Sequence, residues 1–479
     1  MKKYAPYFYL FLVSLIVVLF FSTSTTFIYD EPCSGDSAIF QIIGKYWAEG
    51  RLPYVDVWDQ KGPFIFFVDA IGYVIAGNKY GIFLLQIINL TIVSWILYNI
   101  CRIELKVLPS ILISTLVMFS FAPVCENTVE EWILIPICWS YYVMTKWVNK
   151  VEASGQPVKH PLSSGFVYGM VVGLSLMTRL TNAVGICMAS LVIAIYLAIN
   201  KEWRNIVGNV FLFVGGLLLT TVPFFIYFYA NDALYEMWYG TFLYNAEYAG
   251  SSGFGIFSFK GMANLVLRFE NCYFLLLVSV MVLVLNKSRR FAGILWLTMS
   301  LACMLWFLRS NGFGQYATIC LPFSCIAFIE IYHISHVNKN WLAMRSYVLS
   351  NIAYSFIVIV GVVYSMWLFN NMYRENSALY EFRTFMKDIP SEYRKSFAAY
   401  NCNPDWYLYE DIHPNSRFFT LQDFQTGMGK SLLPKVRDAF SGKTQWLLVK
   451  GKKTKIDDII EKNYMLYKRE GDLTLYKLK

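Results

Sequence analysis

The sequence predicts an all-α polytopic membrane protein with a small α/β domain at its C-terminal end, and three observations carry that reading. Of 479 residues, 57% are apolar and 15% charged, against about 25% charged in ordinary soluble domains. The apolar residues come in blocks of about 16–25, broken by short polar runs, close to what a helix needs to cross about 30 Å of hydrocarbon. Beyond residue 371 the composition changes abruptly and charged residues become common. This balance excludes a disordered chain and argues against a soluble multidomain enzyme. Segments of alternating polarity are absent, which argues against a transmembrane β-barrel, and no internal repeat is visible.

Met1-Lys2-Lys3 precedes an apolar run from Pro6 to Ile28. Ser22-Thr23-Ser24 offers a small-residue cleavage site, yet the run is long for a signal peptide and many apolar blocks follow. It is therefore read as an uncleaved first helix with its N-terminus in the cytoplasm. Ten further spans are expected near 80–101, 107–124, 132–149, 164–178, 183–200, 206–230, 262–285, 291–308, 316–333 and 347–370. The region 164–200 also admits one long tilted helix plus a re-entrant piece. With this topology the inner loops carry fourteen Lys and Arg, from Lys2 and Lys3 to Lys339 and Arg345. The short outer loops carry eight: Lys45, Arg51, Lys61, Lys79, Arg179, Lys260, Arg268 and Arg309. The excess on the inner side supports the orientation. The expected location is the cytoplasmic (inner) membrane.

About eleven spans divide the chain into a transmembrane domain, 1–370, and an extracytoplasmic domain, 371–479. In the latter, strands are expected at Ser396–Tyr400, Arg417–Leu421 and Gln445–Val449. Helices are expected near Lys430–Phe440 and Lys455–Asn463, with a closing hairpin at Tyr464–Lys479. Lys450, Lys452, Lys453 and Lys455 lie close together and read as a solvated or lipid-facing surface. The net charge of +9 is explained by topology and anionic lipid; no nucleic-acid motif is present. The ten cysteines are scattered and mostly apolar in context. Cys33 and Cys125 both fall in predicted outer loops, which leaves a disulfide between them open.

The first outer loop, about 29–79, is the informative region. Apolar residues at 38, 39, 42, 43, 46 and 47 make one helical face, and Ser37, Gln41, Lys45 and Glu49 the other. Such a helix lies in the membrane surface rather than crossing it. A second interfacial helix, Phe64–Ile75, begins after Pro63 and reaches only about 20 Å. Asp36 stands where an N-cap for the helix from Ser37 belongs. Other charges gather at the same predicted face: Asp59, Lys61, Glu130, Glu131 and Arg179. Charge at the hydrocarbon boundary is paired or functional. One reading is a structural ion-pair network. The other is a transferase site, in which a carboxylate deprotonates an acceptor hydroxyl and a Lys and an Arg hold a phosphate. A divalent ion on oxygen ligands is compatible with this set, although no His-based spacing marks one. His333 and His336 sit at a predicted inner helix end, where cations suit the helix dipole.

The stretch from Gly35-Asp36-Ser37 through Gly50-Arg51-Leu52-Pro53-Tyr54-Val55-Asp56-Val57-Trp58-Asp59-Gln60-Lys61-Gly62-Pro63 resembles the first outer loop of GT-C glycosyltransferases. The nearest branch is that of protein O-mannosyltransferases and the aminoarabinose transferases of lipid A. Asn127-Thr128-Val129-Glu130-Glu131 is similar to that branch's second acidic motif, and Gly173-Leu174-Ser175-Leu176-Met177-Thr178-Arg179 to its later turn. Phe242-Leu243-Tyr244-Asn245-Ala246-Glu247-Tyr248 and Gly312-Phe313-Gly314-Gln315-Tyr316 resemble further outer-loop motifs. The family often has His where this chain has Gln315. The resemblance implies that Asp36 is the catalytic carboxylate and that Lys61 and Arg179 contact the donor phosphate. It implies that Glu130, Glu131 and Asp59 assist acceptor or metal binding, with Tyr54, Asn245, Tyr248, Gln315 and Tyr316 as further outer-loop candidates.

A sugar transferase working at the outer face needs a donor already moved there on a lipid, because nucleotide sugars are cytoplasmic and too polar to cross. A polyprenyl-phosphate sugar donor fits, with a hydroxyl acceptor on a lipid, a lipid-linked glycan or a protein, and inversion at the anomeric centre. Membrane lipids are the remaining partners expected. Two rival readings are a transporter or flippase for lipid-linked glycans and a non-catalytic glycan-assembly subunit. The first calls for charges near the bilayer midplane, in two matching halves.

Overall fold

The computed structural model describes residues 4–29, 35–251, 269–309, 313–337, 347–376, 385–409, 411–420, 423 and 431–479. The chain folds into two compact units, each made of separated stretches. One comprises Met1–Ser22, Phe83–Pro223 and Phe254–Met372; the other Thr23–Ile82, Phe224–Gly253 and Tyr373–Lys479.

Among the described residues, six helical segments are long and apolar enough to cross a bilayer. They are Tyr80–Cys101, Val107–Val124, Leu180–Ile199, Trp203–Ala230, Lys287–Leu308 and Gly314–Ser335. Shorter apolar helices include Ala5–Phe21, Leu162–Leu176 and Glu270–Leu285. The first helix stops seven residues earlier than the expected Ile28, because Ser22 to Thr26 form a turn rather than further helix. Clustered hydroxyls offer the backbone competing hydrogen bonds there. The region 164–200 resolves into two helices, Leu162–Leu176 and Val184–Ile199, joined through a 3-10 turn at Leu180–Ala183. Of the expected span 262–285, the part 262–268 lies outside the described residues.

Helix packing in the first unit depends on small residues. Gly165, Gly169 and Gly173 recur every fourth residue, along one face of their helix. A Cβ at Gly169 would lie 1.9 Å from the Phe213 carbonyl oxygen, and one at Gly216 would lie 2.0 Å from that of Phe166. The two backbones therefore touch, as helix pairs in lipid do when small side chains line the crossing. At another junction the buried Arg289 makes a two-pronged ion pair with Glu330, Nε to Oε2 and Nη2 to Oε1 both 2.7 Å. Trp296 donates to the same carboxylate and Asn149 accepts from the guanidinium. His333 Nε2 lies 3.7 Å from Glu104 Oε1, so it faces a carboxylate besides its place near a helix end; the side chain of His336 lies outside the described residues.

In the second unit, the helices Gly35–Ala48 and Pro63–Ala76 pack against each other. They come close together at Gly44, where a Cβ would meet the Cβ of Asp69 at 2.5 Å. Pro63 occupies the first turn of the second helix, where its missing N–H costs nothing, and Gly77 closes it at φ 69°. The first helix begins at Gly35, so Asp36 lies within its opening turn rather than at the expected N-cap. Glycine ahead of it extends the helix, and an acid in the first turn still complements the dipole.

The C-terminal stretch carries a four-stranded sheet. β1 (Phe397–Tyr400) pairs parallel with β2 (Trp446–Lys450); β2 pairs antiparallel with β4 (Leu473–Leu478), and β4 with β3 (Tyr464–Glu470). Helices Leu432–Ala439 and Asp457–Asn463 lie between the strands in sequence. These match the expected elements with one exception. The segment expected as a strand from Arg417 is a run of bends. Its backbone is committed elsewhere: the Arg417 carbonyl accepts the Trp58 N–H at 2.9 Å, and the Phe418 N–H donates to Ser416 Oγ. Lys450, Lys452, Lys453 and Lys455 are exposed.

Candidate functional site

The expected site residues fall into two sets, one in each unit. In the second unit the loop between the two packed helices carries Tyr54, Asp59 and Lys61. Its backbone turns at Tyr54, whose φ of 68° is uncommon for any residue but glycine and marks a strained position. Several contacts hold it there. The Tyr54 N–H donates to the Val57 carbonyl at 2.7 Å, and its hydroxyl donates to the Lys61 carbonyl at 2.7 Å while accepting from Thr241 Oγ1 at 3.3 Å. Gly240 must be small, because a Cβ there would meet the Tyr54 ring at 2.7 Å. Asn245 Nδ2 donates to the Gln60 carbonyl at 2.7 Å. The Trp58 ring is buried against Tyr244 and Phe418, with centroids 5.0 and 5.9 Å away.

The pinned loop presents two of the expected charges. Asp59 is buried, and its Oδ1 accepts the backbone N–H of Lys61 at 3.0 Å, the turn an Asp side chain makes with the residue two ahead. Burial raises the Asp59 carboxyl above the usual carboxylate range; Lys61 pulls it back down and Asp36 adds to the rise. Both charges thus reach Asp59, and Asp36, Asp59 and Lys61 form one electrostatic group. Asp36 itself is exposed, whereas Lys61 is half-buried. An exposed carboxylate can take a proton from one group, and a partly sheltered ammonium can hold an anion.

In the first unit, Asn127 turns the chain at φ 54° and accepts the Trp132 indole N–H at 2.7 Å. The short helix Val129–Trp132 then buries both Glu130 and Glu131. Arg179 donates to Glu130 Oε1 at 3.2 Å, and its guanidinium lies 3.3 Å from the centroid of the Tyr316 ring. An arginine has five N–H donors, so the pairing with Glu130 leaves others to meet an anion. Tyr316 and Gln315 sit half-buried on the 3-10 stretch Gly314–Cys320.

Glu131 is held differently. It accepts two contacts from Gln86 Nε2, at 3.0 and 3.3 Å, and its carbonyl accepts from Asn89 Nδ2 at 2.9 Å. Burial pushes its carboxyl up to about 8 against the pull of the Gln86 hydrogen bond, with Glu126 adding to the rise. Gln86 and Asn89 were not among the expected site residues. Their signal was two amides, three residues apart, inside the apolar block 80–101. The side chain of Tyr248, and Cys33, lie outside the described residues; Cys125 is buried. Among the described residues no group of three His, Cys, Asp or Glu is arranged to hold a metal ion.

No family model matches this sequence, and no curated protein does. Solved structures do match. ArnT from Cupriavidus metallidurans bound to undecaprenyl phosphate is 13% identical with a TM-score of 0.52, covering 98% of this chain and 97% of that one. The same protein in its apo state gives 13% identity and a TM-score of 0.56 over 99% and 98%. The archaeal oligosaccharyltransferase AglB from Archaeoglobus fulgidus, in complex with an inhibitory peptide and a dolichol-phosphate, is 11% identical with a TM-score of 0.52 over all of this chain and 74% of that one. The chain therefore shares the fold of the ArnT and AglB structures.

Proposed function

We propose that this protein is a membrane glycosyltransferase that moves a sugar from a polyprenyl-phosphate donor to a hydroxyl acceptor at the extracytoplasmic face. The observation that carries the reading is the grouping of Asp36, Asp59 and Lys61 around a strained loop fixed by Tyr54 and Asn245. The shared fold supports it, since the ArnT structure holds undecaprenyl phosphate and the AglB structure a dolichol-phosphate.

In this mechanism Asp36 accepts the proton of the acceptor hydroxyl as that oxygen bonds to the anomeric carbon. The bond from that carbon to the phosphate oxygen breaks, its electron pair stays with the phosphate, and the sugar inverts. Lys61 holds the leaving phosphate and offsets the charge that develops on it. The tail of the carrier stays in hydrocarbon while its headgroup meets that cation. The acceptor is a lipid, a lipid-linked glycan or a protein. The Asp36→Asn variant tests the assignment. With the purified protein in lipid nanodiscs and a radiolabelled polyprenyl-phosphate sugar, release of polyprenyl phosphate falls by about 10²–10⁴-fold while the melting temperature holds. Undiminished turnover in that variant refutes the role of Asp36.

A further inference from the structure

The second unit contains a cleft of about 350 Å³ that neither Asp36 nor Lys61 lines. That is within the range of about 300–1,000 Å³ common to small-molecule sites. Gln41, Lys45, Tyr73, Lys79, Asp405 and Asp411 line it, with Asn78 at the turn after Pro63–Ala76. We propose that this cleft binds a neutral saccharide unit of the acceptor, so that the acceptor is a glycan. The assignment to the acceptor rests on the transferase reading above; the binding itself does not.

Charge balance selects the ligand class. The two ammonium groups are matched by two carboxylates, and Lys45 and Asp411 are already paired at 2.6 Å. A phosphate or sulfate finds no excess of positive charge there, and a cation no excess of negative. What remains suits hydroxyls, which both donate and accept. Gln41 is the most telling residue. It is 1% exposed, and its Nε2 is committed to the Ser24 carbonyl and to Ser37 Oγ, at 3.3 and 3.1 Å. That fixes the amide and leaves Oε1 as a buried acceptor with no hydrogen-bond partner among the described residues. A buried polar atom is ordinarily satisfied, so a donor from outside the protein completes it. Asp411 holds φ 48°, which places its carboxylate at the cleft in a conformation few residues adopt. The half-buried Tyr73 contributes an aromatic side chain against which the C–H face of a pyranose can pack.

Saturation-transfer NMR on the full chain in lipid nanodiscs tests this, with sugar-headed detergents excluded because they compete. The probes are the methyl glycosides of glucose, galactose, mannose and N-acetylglucosamine. At least one is expected to receive saturation at its ring protons, and that signal falls at least threefold in Tyr73→Ala and in Asn78→Ala. Asn78 is exposed, so its variant keeps the fold, which matched melting curves verify. Absence of signal from all four probes, signal equal to wild type in both variants, or displacement of the sugar by inorganic phosphate overturns the proposal. Donor turnover read in parallel separates the two ideas. Turnover without sugar binding refutes the cleft alone, and sugar binding with Asp36→Asn fully active refutes the catalytic reading alone.

Discussion

Glu131→Gln asks whether a carboxyl sealed inside the first unit is neutral at physiological pH. Glu131 is fully buried; the Gln86 amide reaches its carboxyl at 3.0 and 3.3 Å, and the backbone N–H groups of Asn127 and Thr128 also donate to it. Burial lifts its pKa from 4.5 to about 8. The folded-state value is above the unfolded one, so the stability this group contributes is fully present below about pH 4.5. It is lost as the pH rises towards 8. Within that window each pH unit costs about 1.4 kcal/mol, so moving from pH 5 to pH 8 removes on the order of 4 kcal/mol from this one side chain. Glutamine has nearly the same shape, still accepts from Gln86, and cannot ionise. Thermal unfolding in nanodiscs at pH 5, 6, 7 and 8 should therefore show a wild-type profile that falls more steeply than that of Glu131→Gln. The gap should widen in favour of the variant up to about pH 8 and then level off. Parallel profiles across the four pH values refute the reasoning and mean that Glu131 is ionised, or reached by water, in the folded protein.

Tyr54→Phe removes the hydroxyl that joins Thr241 to the Lys61 carbonyl and should destabilise the protein by about 1–3 kcal/mol, with donor turnover falling further than stability alone explains; denaturation curves and turnover on one preparation check this. Gly169→Val places side-chain carbon where the Phe213 carbonyl oxygen lies 1.9 Å from the Cβ position. The crossing of Leu162–Leu176 with Trp203–Ala230 should then open, read as loss of the monodisperse folded species in size-exclusion chromatography. Arg179→Lys keeps the charge but loses the planar group that stacks on Tyr316, a contact worth about 0.5–2 kcal/mol. A double-mutant cycle with Tyr316→Leu should recover a coupling of that size.

The spans were legible because hydrocarbon thickness imposes a length that composition alone reveals. Their ends were less so: Ser22 to Thr26 halt the first helix through hydroxyl groups that an apolarity count passes over. In the C-terminal domain, β1, β2 and the closing hairpin followed from their apolar patterning, whereas the strand expected from Arg417 did not form. Its apolar run Phe418-Phe419 serves a different surface, with Phe418 packed on Trp58. For the candidate site the sequence names residues, but the contacts that place them are not legible in it. Tyr54 entered only as a further outer-loop candidate implied by the resemblance, beside Asp59 and Lys61. In the folded chain Tyr54 turns back to its own loop. Asn245 likewise binds a backbone carbonyl 185 residues away, a contact that leaves no trace in local sequence.

That difference bears on how the loop works. A left-handed tyrosine costs about 1–3 kcal/mol, so the conformation persists only where surrounding contacts exceed that cost. Here they come from three stretches far apart in sequence: residues 240–245 against Tyr54 and Gln60, Arg417 and Phe418 against Trp58, and the loop's own hydrogen bonds. Asp59 and Lys61 therefore sit on a loop held by all three stretches of the second unit. The C-terminal stretch then helps to position the loop, because the Trp58 N–H donates to the Arg417 carbonyl and the Trp58 ring packs on Phe418. Even a domain whose first task is to recognise an acceptor would, through those two contacts, also set the position of Asp59 and Lys61.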